Sequence, residues 1–154
     1  DEEELAAIAL ASARSARQFL EETPRVAMLS FSTAGSGSHA SVDLVRAATD
    51  IVRNNIEDGC VDGELQFDAA VNPDVAAKKG VGGSEVAGQA NVLVFPDLDA
   101  ANICYKAVRE MCGAQAIGPV LQGFNRPVND LSRSASVEDV VGTTVITALQ
   151  VAGG

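Results

Sequence analysis

Residues 25–54, RVAMLSFSTAGSGSHASVDLVRAATDIVRN, decide how the chain folds. The run 25–31 (RVAMLSF) is rich in residues that suit a buried strand. The run 32–38 (STAGSGS) is nearly all small and marks a loop. From 39 to 54, Val42, Val45, Ala48, Ile51 and Val52 return at helical spacing. A strand, a small-residue loop and a helix in that order form the working unit of an α/β protein, and both flanks extend it. Upstream, Leu5, Ile8, Ala9, Phe19 and Leu20 recur at three- and four-residue steps, with alanines between them. They predict an amphipathic helix over 2–20, stopped by Thr23-Pro24. Its acidic opening, Asp1 to Glu4, suits the positive end of a helix dipole. Downstream, 59–67 (GCVDGELQF) reads as a strand, and Asn72-Pro73 opens a short helix to about Lys79. A glycine-rich loop over 80–88 leads to a buried strand at 91–95 (NVLVF). A helix over 99–112 follows, with Ile103, Ala107, Val108 and Met111 on one face. After a short apolar run at 117–121, a last helix over 136–152 opens on Ser136 and Asp139, the spacing of a capping box. The alternation predicts a three-layer α/β/α fold with a mostly parallel sheet.

Composition narrows the function. The 154 residues suffice for one sizeable core, and 47% hydrophobic with 21% charged residues is a globular balance. With 21 acidic residues against 11 Lys and Arg, the net charge is −10, which repels nucleic-acid backbones and anionic lipid. No apolar run approaches the length of a membrane-spanning helix. Cys60, Cys104 and Cys112 show no C-x-x-C spacing, as in a reduced, intracellular protein. Cys104 and Cys112 fall on one helix face, which predicts core packing. The chain opens on Asp1 and not Met, and reads as the C-terminal part of something longer.

Several stretches offer chemistry. The loop 32–38 between strand and helix suits an anion, because backbone N–H groups in such turns point at phosphate. It matches neither G-x-x-x-x-G-K-[ST] nor G-x-G-x-x-G, so a structural turn is the equal alternative. His39, the sole histidine, reads as a helix-entry residue, and no metal site is expected. Asp62, Glu64 and Asp68 crowd one region, as a solvated strand end or as an acid–base group. Lys78 and Lys79 form a basic spot that either holds phosphate or solvates a helix end. The densest polar stretch is 125–139, NRPVNDLSRSASVED. There Arg133 offers a planar fork to an oxyanion, Ser132 is a neutral donor and Asp139 a candidate base; a polar loop with an N-cap is the plainer reading.

The words PRVAMLSFST (24–33), DGELQFDAA (62–70), ANVLVFPDL (90–98), IGPVLQGFNRPVNDLSR (117–133) and SASVEDVV (134–141) closely resemble the phosphate acetyltransferases, or phosphotransacetylases. The likeness runs in order over essentially the whole chain and matches the C-terminal half of that family. It implies two isopropylmalate-dehydrogenase-like α/β domains with the active site in the cleft between them. Residues 1–122 would be most of the second domain, and 123–154 a closing segment that returns to the first. The implied reaction of acetate metabolism moves an acetyl group between acetyl phosphate and coenzyme A, with no metal and no cofactor, coenzyme A being a substrate. By the same likeness Ser132, Arg133 and Asp139 are catalytic, with Asp139 as the base for the thiol. Asn129, Ser32, Gly35 and Lys79 are the substrate-binding candidates. The family's further coenzyme-binding arginines fall upstream of Asp1, and with half of the implied cleft outside these residues the fragment alone is expected to have little or no activity. Ala34 stands where the family often has Lys, which weakens a phosphate role for that loop, and Ala135 where it often has Cys. The resemblance implies a homodimer in the cytoplasm, or in an organelle if the source is a eukaryote. The competing readings are a catalytically silent domain, as at the end of some malic enzymes, and a phosphate butyryltransferase. The intact NDLSR-x5-D pattern favours an enzyme over the silent domain.

Overall fold

In the computed structural model, which describes residues 1–153, the first element is α1 (Glu2–Leu20). Asp1 caps it by accepting from the Glu4 N–H at 2.9 Å. Its buried face is Leu5, Ala6, Ala9 and Ala13. Ile8 and Leu20, expected on that face, are half exposed, because the buried stripe runs instead through Leu5, Ala6, Ala9 and Ala13. The sheet has three parallel strands in the order β2-β1-β3: β1 (Arg25–Leu29), β2 (Cys60–Leu65) and β3 (Val92–Val94). Strand β1 is central, and both its faces are covered. Val26 and Met28 join a core with α1 and with Val45, Ala48 and Val52 of α2 (Ala40–Asn55). Ala27 and Leu29 join a second core with Leu65, Ala70, Ala76, Val86 and Ala87. A strand buried on both sides reads as an unbroken apolar run, which is why 25–31 shows no alternation. It ends two residues early: the Ser30 N–H donates to the Leu65 carbonyl at 2.8 Å, and Phe31 is exposed.

The expected strand 59–67 is also shorter, and its last residues turn into a helix. The register with β1 slips between Met28 and Leu29, so that Glu64 faces no residue of β1. At Gly63 a Cβ would lie 2.6 Å from the Met28 Cβ and 2.8 Å from the Thr49 hydroxyl, so only glycine fits there. Then α3 (Phe67–Val71) and α4 (Pro73–Lys78) cover the face opposite α1 and α2. Asn72 caps α4 through the Asp74 N–H at 2.9 Å, with Pro73 in the first turn as predicted. The glycine-rich turn comes back onto α3, the Gly88 N–H donating to the Ala69 carbonyl at 2.8 Å. This is the expected helix–sheet–helix layering on a parallel sheet.

The chain forms two compact units, residues 1–101 and a second from Asn102 on. The second unit holds most of α5 (Leu98–Cys112) and all of α6 (Val137–Ala152). No residue of α5 is buried, and Ile103 and Met111 are 68% and 85% exposed. Cys112 is exposed and Cys104 half-buried, so the core role expected of the pair does not hold. Where the run 117–121 continued the alternation, there is one antiparallel bridge, Val120 to Asn129. No helix among the described residues is long and apolar enough to cross a membrane.

Candidate active site

The loop ahead of α6 is organised by Asn129. Its Oδ1 accepts from the Leu121 N–H at 2.8 Å. Its Nδ2 donates to Thr147 Oγ1 at 2.8 Å and to Gln150 Oε1 at 2.6 Å, both on α6. The amide is thus spent on protein partners and ties the loop to α6 at residue 129. Beyond it the Ser132 and Ser134 hydroxyls lie 3.0 Å apart, and the Ala135 N–H donates to the Ser132 carbonyl at 2.9 Å. Arg133 is exposed and has no acidic partner among the described residues. Such a guanidinium keeps its donors free for a planar oxyanion.

Asp139 is buried in the first turn of α6. The predicted capping box is formed: Ser136 Oγ accepts from the Asp139 N–H at 3.1 Å, and Asp139 Oδ2 from the Ser136 N–H at 3.0 Å. Arg109 on α5 donates to the same Oδ2 at 3.1 Å. The Ser136 N–H holds the Asp139 carboxyl below its ordinary range, opposed by burial and helped by the Arg109 charge. The side chain is therefore ionised at neutral pH, the state a proton acceptor requires. One turn on, the buried Thr143 hydroxyl has no hydrogen-bond partner among the described residues.

In the first unit, the loop 32–37 encloses an anion of its own. Glu64 is 3% exposed. Its Oε1 accepts from Ser32 Oγ at 2.8 Å and from the Gly35 N–H at 2.9 Å. Arg46 grips both oxygens, Nε to Oε2 at 2.7 Å and Nη2 to Oε1 at 3.0 Å. Burial alone would raise this carboxyl, but Arg46, the Gly35 N–H and Ser32 outweigh it and hold the pKa at about 2. Ser32 and Gly35 are brought to this carboxylate, and Ser32 is fully buried. Lys79 Nζ is engaged as well, donating to Gln66 Oε1 at 2.9 Å and to Asp68 at 2.7 Å. Asp62 lies 3.9 Å from Arg53. The carboxylates 62, 64 and 68 therefore form three separate ion pairs and no acid–base group. His39 caps α2, its Nδ1 accepting from the Ser41 N–H at 3.2 Å.

A family profile described as phosphate acetyl/butaryl transferase matches residues 1–148. The chain belongs to that family. Among curated members of the phosphate acetyl/butaryl transferases, the phosphate acetyltransferase of Thermoanaerobacterium thermosaccharolyticum is 57% identical over 148 residues, covering 96% of this chain and 45% of the relative. That of Corynebacterium glutamicum is 54% identical over 151 residues, covering 98% and 45%. The solved phosphotransacetylase from Streptococcus pyogenes superposes with a TM-score of 0.92 at 51% identity, covering all of this chain and 46% of that one. A branched-chain phosphotransacylase from Enterococcus faecalis gives 0.84 at 26% identity, covering 98% and 54%. The chain thus spans less than half the length of these curated relatives. Two residues beside Asp139 and along α6 escaped the sequence reading, Arg109 and Thr143. Neither carries a local motif that would single it out.

Proposed function

We propose that the full-length protein transfers an acetyl group reversibly between acetyl phosphate and coenzyme A, and that this chain is its C-terminal half. In this reading 1–122 is most of the second domain and 123–154 the closing segment. Asp139 takes the proton from the coenzyme A thiol, an S–H bond breaking as an O–H bond forms. The thiolate attacks the acetyl carbonyl, and the carbonyl carbon–oxygen bond to phosphate breaks as phosphate leaves with its electron pair. Arg133 neutralises charge on the carbonyl and phosphate oxygens, and Ser132 donates to the same region. One such donor is worth about 3–4 kcal/mol of barrier. A thiol of pKa near ~8.5 is mostly protonated at neutral pH, so a placed carboxylate raises the thiolate share during attack. Asn129, Ser32, Gly35 and Lys79 are in this reading the substrate-binding residues, Asn129 also bracing the loop that presents Ser132 and Arg133. Homodimerisation and a cytoplasmic location come from the same resemblance and belong to this proposal.

The observation that supports the reading best is Asp139, buried and ionised at the head of α6, following an exposed and unpaired Arg133. The test is thioester formation from acetyl phosphate and coenzyme A by the full-length protein beside Asp139→Asn. An active parent and a loss of ~100-fold or more in the variant are expected for a general base. A parent that binds coenzyme A but forms no thioester would make this a silent member of the family. Butyryl phosphate run in parallel reads the acyl preference.

A further inference from the structure

We infer that Arg109 is a positioning residue for Asp139, fixing one carboxylate oxygen so that the other is the one offered to the thiol. The inference rests on the proposed role of Asp139 as the base. The Ser136 N–H at 3.0 Å and Arg109 Nη2 at 3.1 Å both end on Oδ2 of this carboxylate, and the Ser136 side chain stands beside it as a further favourable neighbour. Oδ1 has no hydrogen-bond partner among the described residues.

A carboxylate tied at one oxygen by its own helix cap can still swing about its Cβ–Cγ bond. A second donor, approaching the same oxygen from another helix, removes that freedom and leaves Oδ1 in one direction. The Asp139 side chain is 11% exposed and that of Arg109 33%, so the pair is screened less than a surface pair. From α5 the charged group that faces Asp139 is Arg109, and from the helix's own cap it is the Ser136 N–H. No other charged side chain among the described residues acts on the carboxylate. Arg109 thus has two separable effects: orientation through its N–H, and preference for the ionised acid through its charge.

The experiment uses the full-length protein with Arg109→Ala, Arg109→Gln and Asp139→Asn, measured as kcat and KM against pH. Arg109→Ala should lower kcat about tenfold while KM for coenzyme A changes less than about twofold, as for an interaction made in the transition state. Its acid limb should move to higher pH, because removing the cation raises the carboxyl and the base is lost sooner as pH falls. Arg109→Gln keeps a donor without the charge; kcat should largely recover while the acid limb stays high. If Arg109→Ala fails to fold, Arg109→Gln still reads the acid limb. An inactive Asp139→Asn beside an Arg109→Ala with unchanged kcat and acid limb would overturn the inference alone. Equal losses of kcat in both Arg109 variants, with no movement of the acid limb, would make Arg109 merely structural and overturn it too. An Asp139→Asn that keeps its activity would remove the base itself, and the inference with it.

Discussion

Glu64 shows what one buried charge does to the residues around it. Its carboxylate collects Arg46, the Ser32 hydroxyl and the Gly35 N–H, so the loop 32–37 is set by an internal anion. Breaking a buried pair by removing one partner leaves the other uncompensated, at a cost of about 3–5 kcal/mol, and Arg46 here is part exposed, which lowers it. Glu64→Gln should therefore lose roughly 2–4 kcal/mol at neutral pH in urea unfolding. The sign with pH follows from the depressed pKa. The contribution is whole above the ordinary carboxyl value of 4.5 and drains away as pH falls toward about 2. The parent should show that acid limb and the variant a flatter one; a parent equally stable at pH 5 and pH 2.5 would contradict the assignment. Sequence alone could not find this pair. Glu64 looks like one polar residue among Asp62 and Asp68 around a strand end, and Arg46 stands one helix earlier on what spacing reads as the solvent face.

Among the elements, α6 is where local sequence and site meet. Ser136→Ala removes the hydroxyl that accepts the Asp139 N–H and should cost about 1 kcal/mol of stability, recovered by Ser136→Asp. Thermal unfolding of the three proteins reads this directly. The capping box was legible because both its partners lie within one turn, and α1, α2 and α5 because their apolar spacing spans several turns. Helix α3 was not, since Phe67–Val71 is too short to show a period and follows straight on from a strand. Nor did the spacing on α5 say what its apolar face meets: a stripe of Ile103, Ala107 and Met111 reads the same whether buried or in solvent. For the candidate site, Ser132, Arg133 and Asp139 stood in one contiguous motif. Arg109 reaches Asp139 from a different helix, across 30 positions of sequence, which no motif records.

Taken as a molecule by itself, the chain leaves Ile103 and Met111 on α5 and Val137, Val141 and Val151 on α6 open to solvent. Its net charge of −10 opposes contact between copies. The isolated chain should therefore self-associate more as salt screens that repulsion, read by sedimentation velocity. Ile103→Glu with Met111→Glu, both at exposed positions, should abolish the effect with little change in stability; association that persists would place the sticky surface elsewhere. The order of the strands has a further consequence, for the chain as it is made. Strand β1 leaves the ribosome first, yet its two partners, β2 and then β3, come much later in the sequence. At ~5–20 residues per second, seconds pass in which an apolar strand stands with neither edge paired. The newborn protein is for that interval a substrate for holding chaperones, and slowing translation between residues 30 and 60 should lengthen its stay on them.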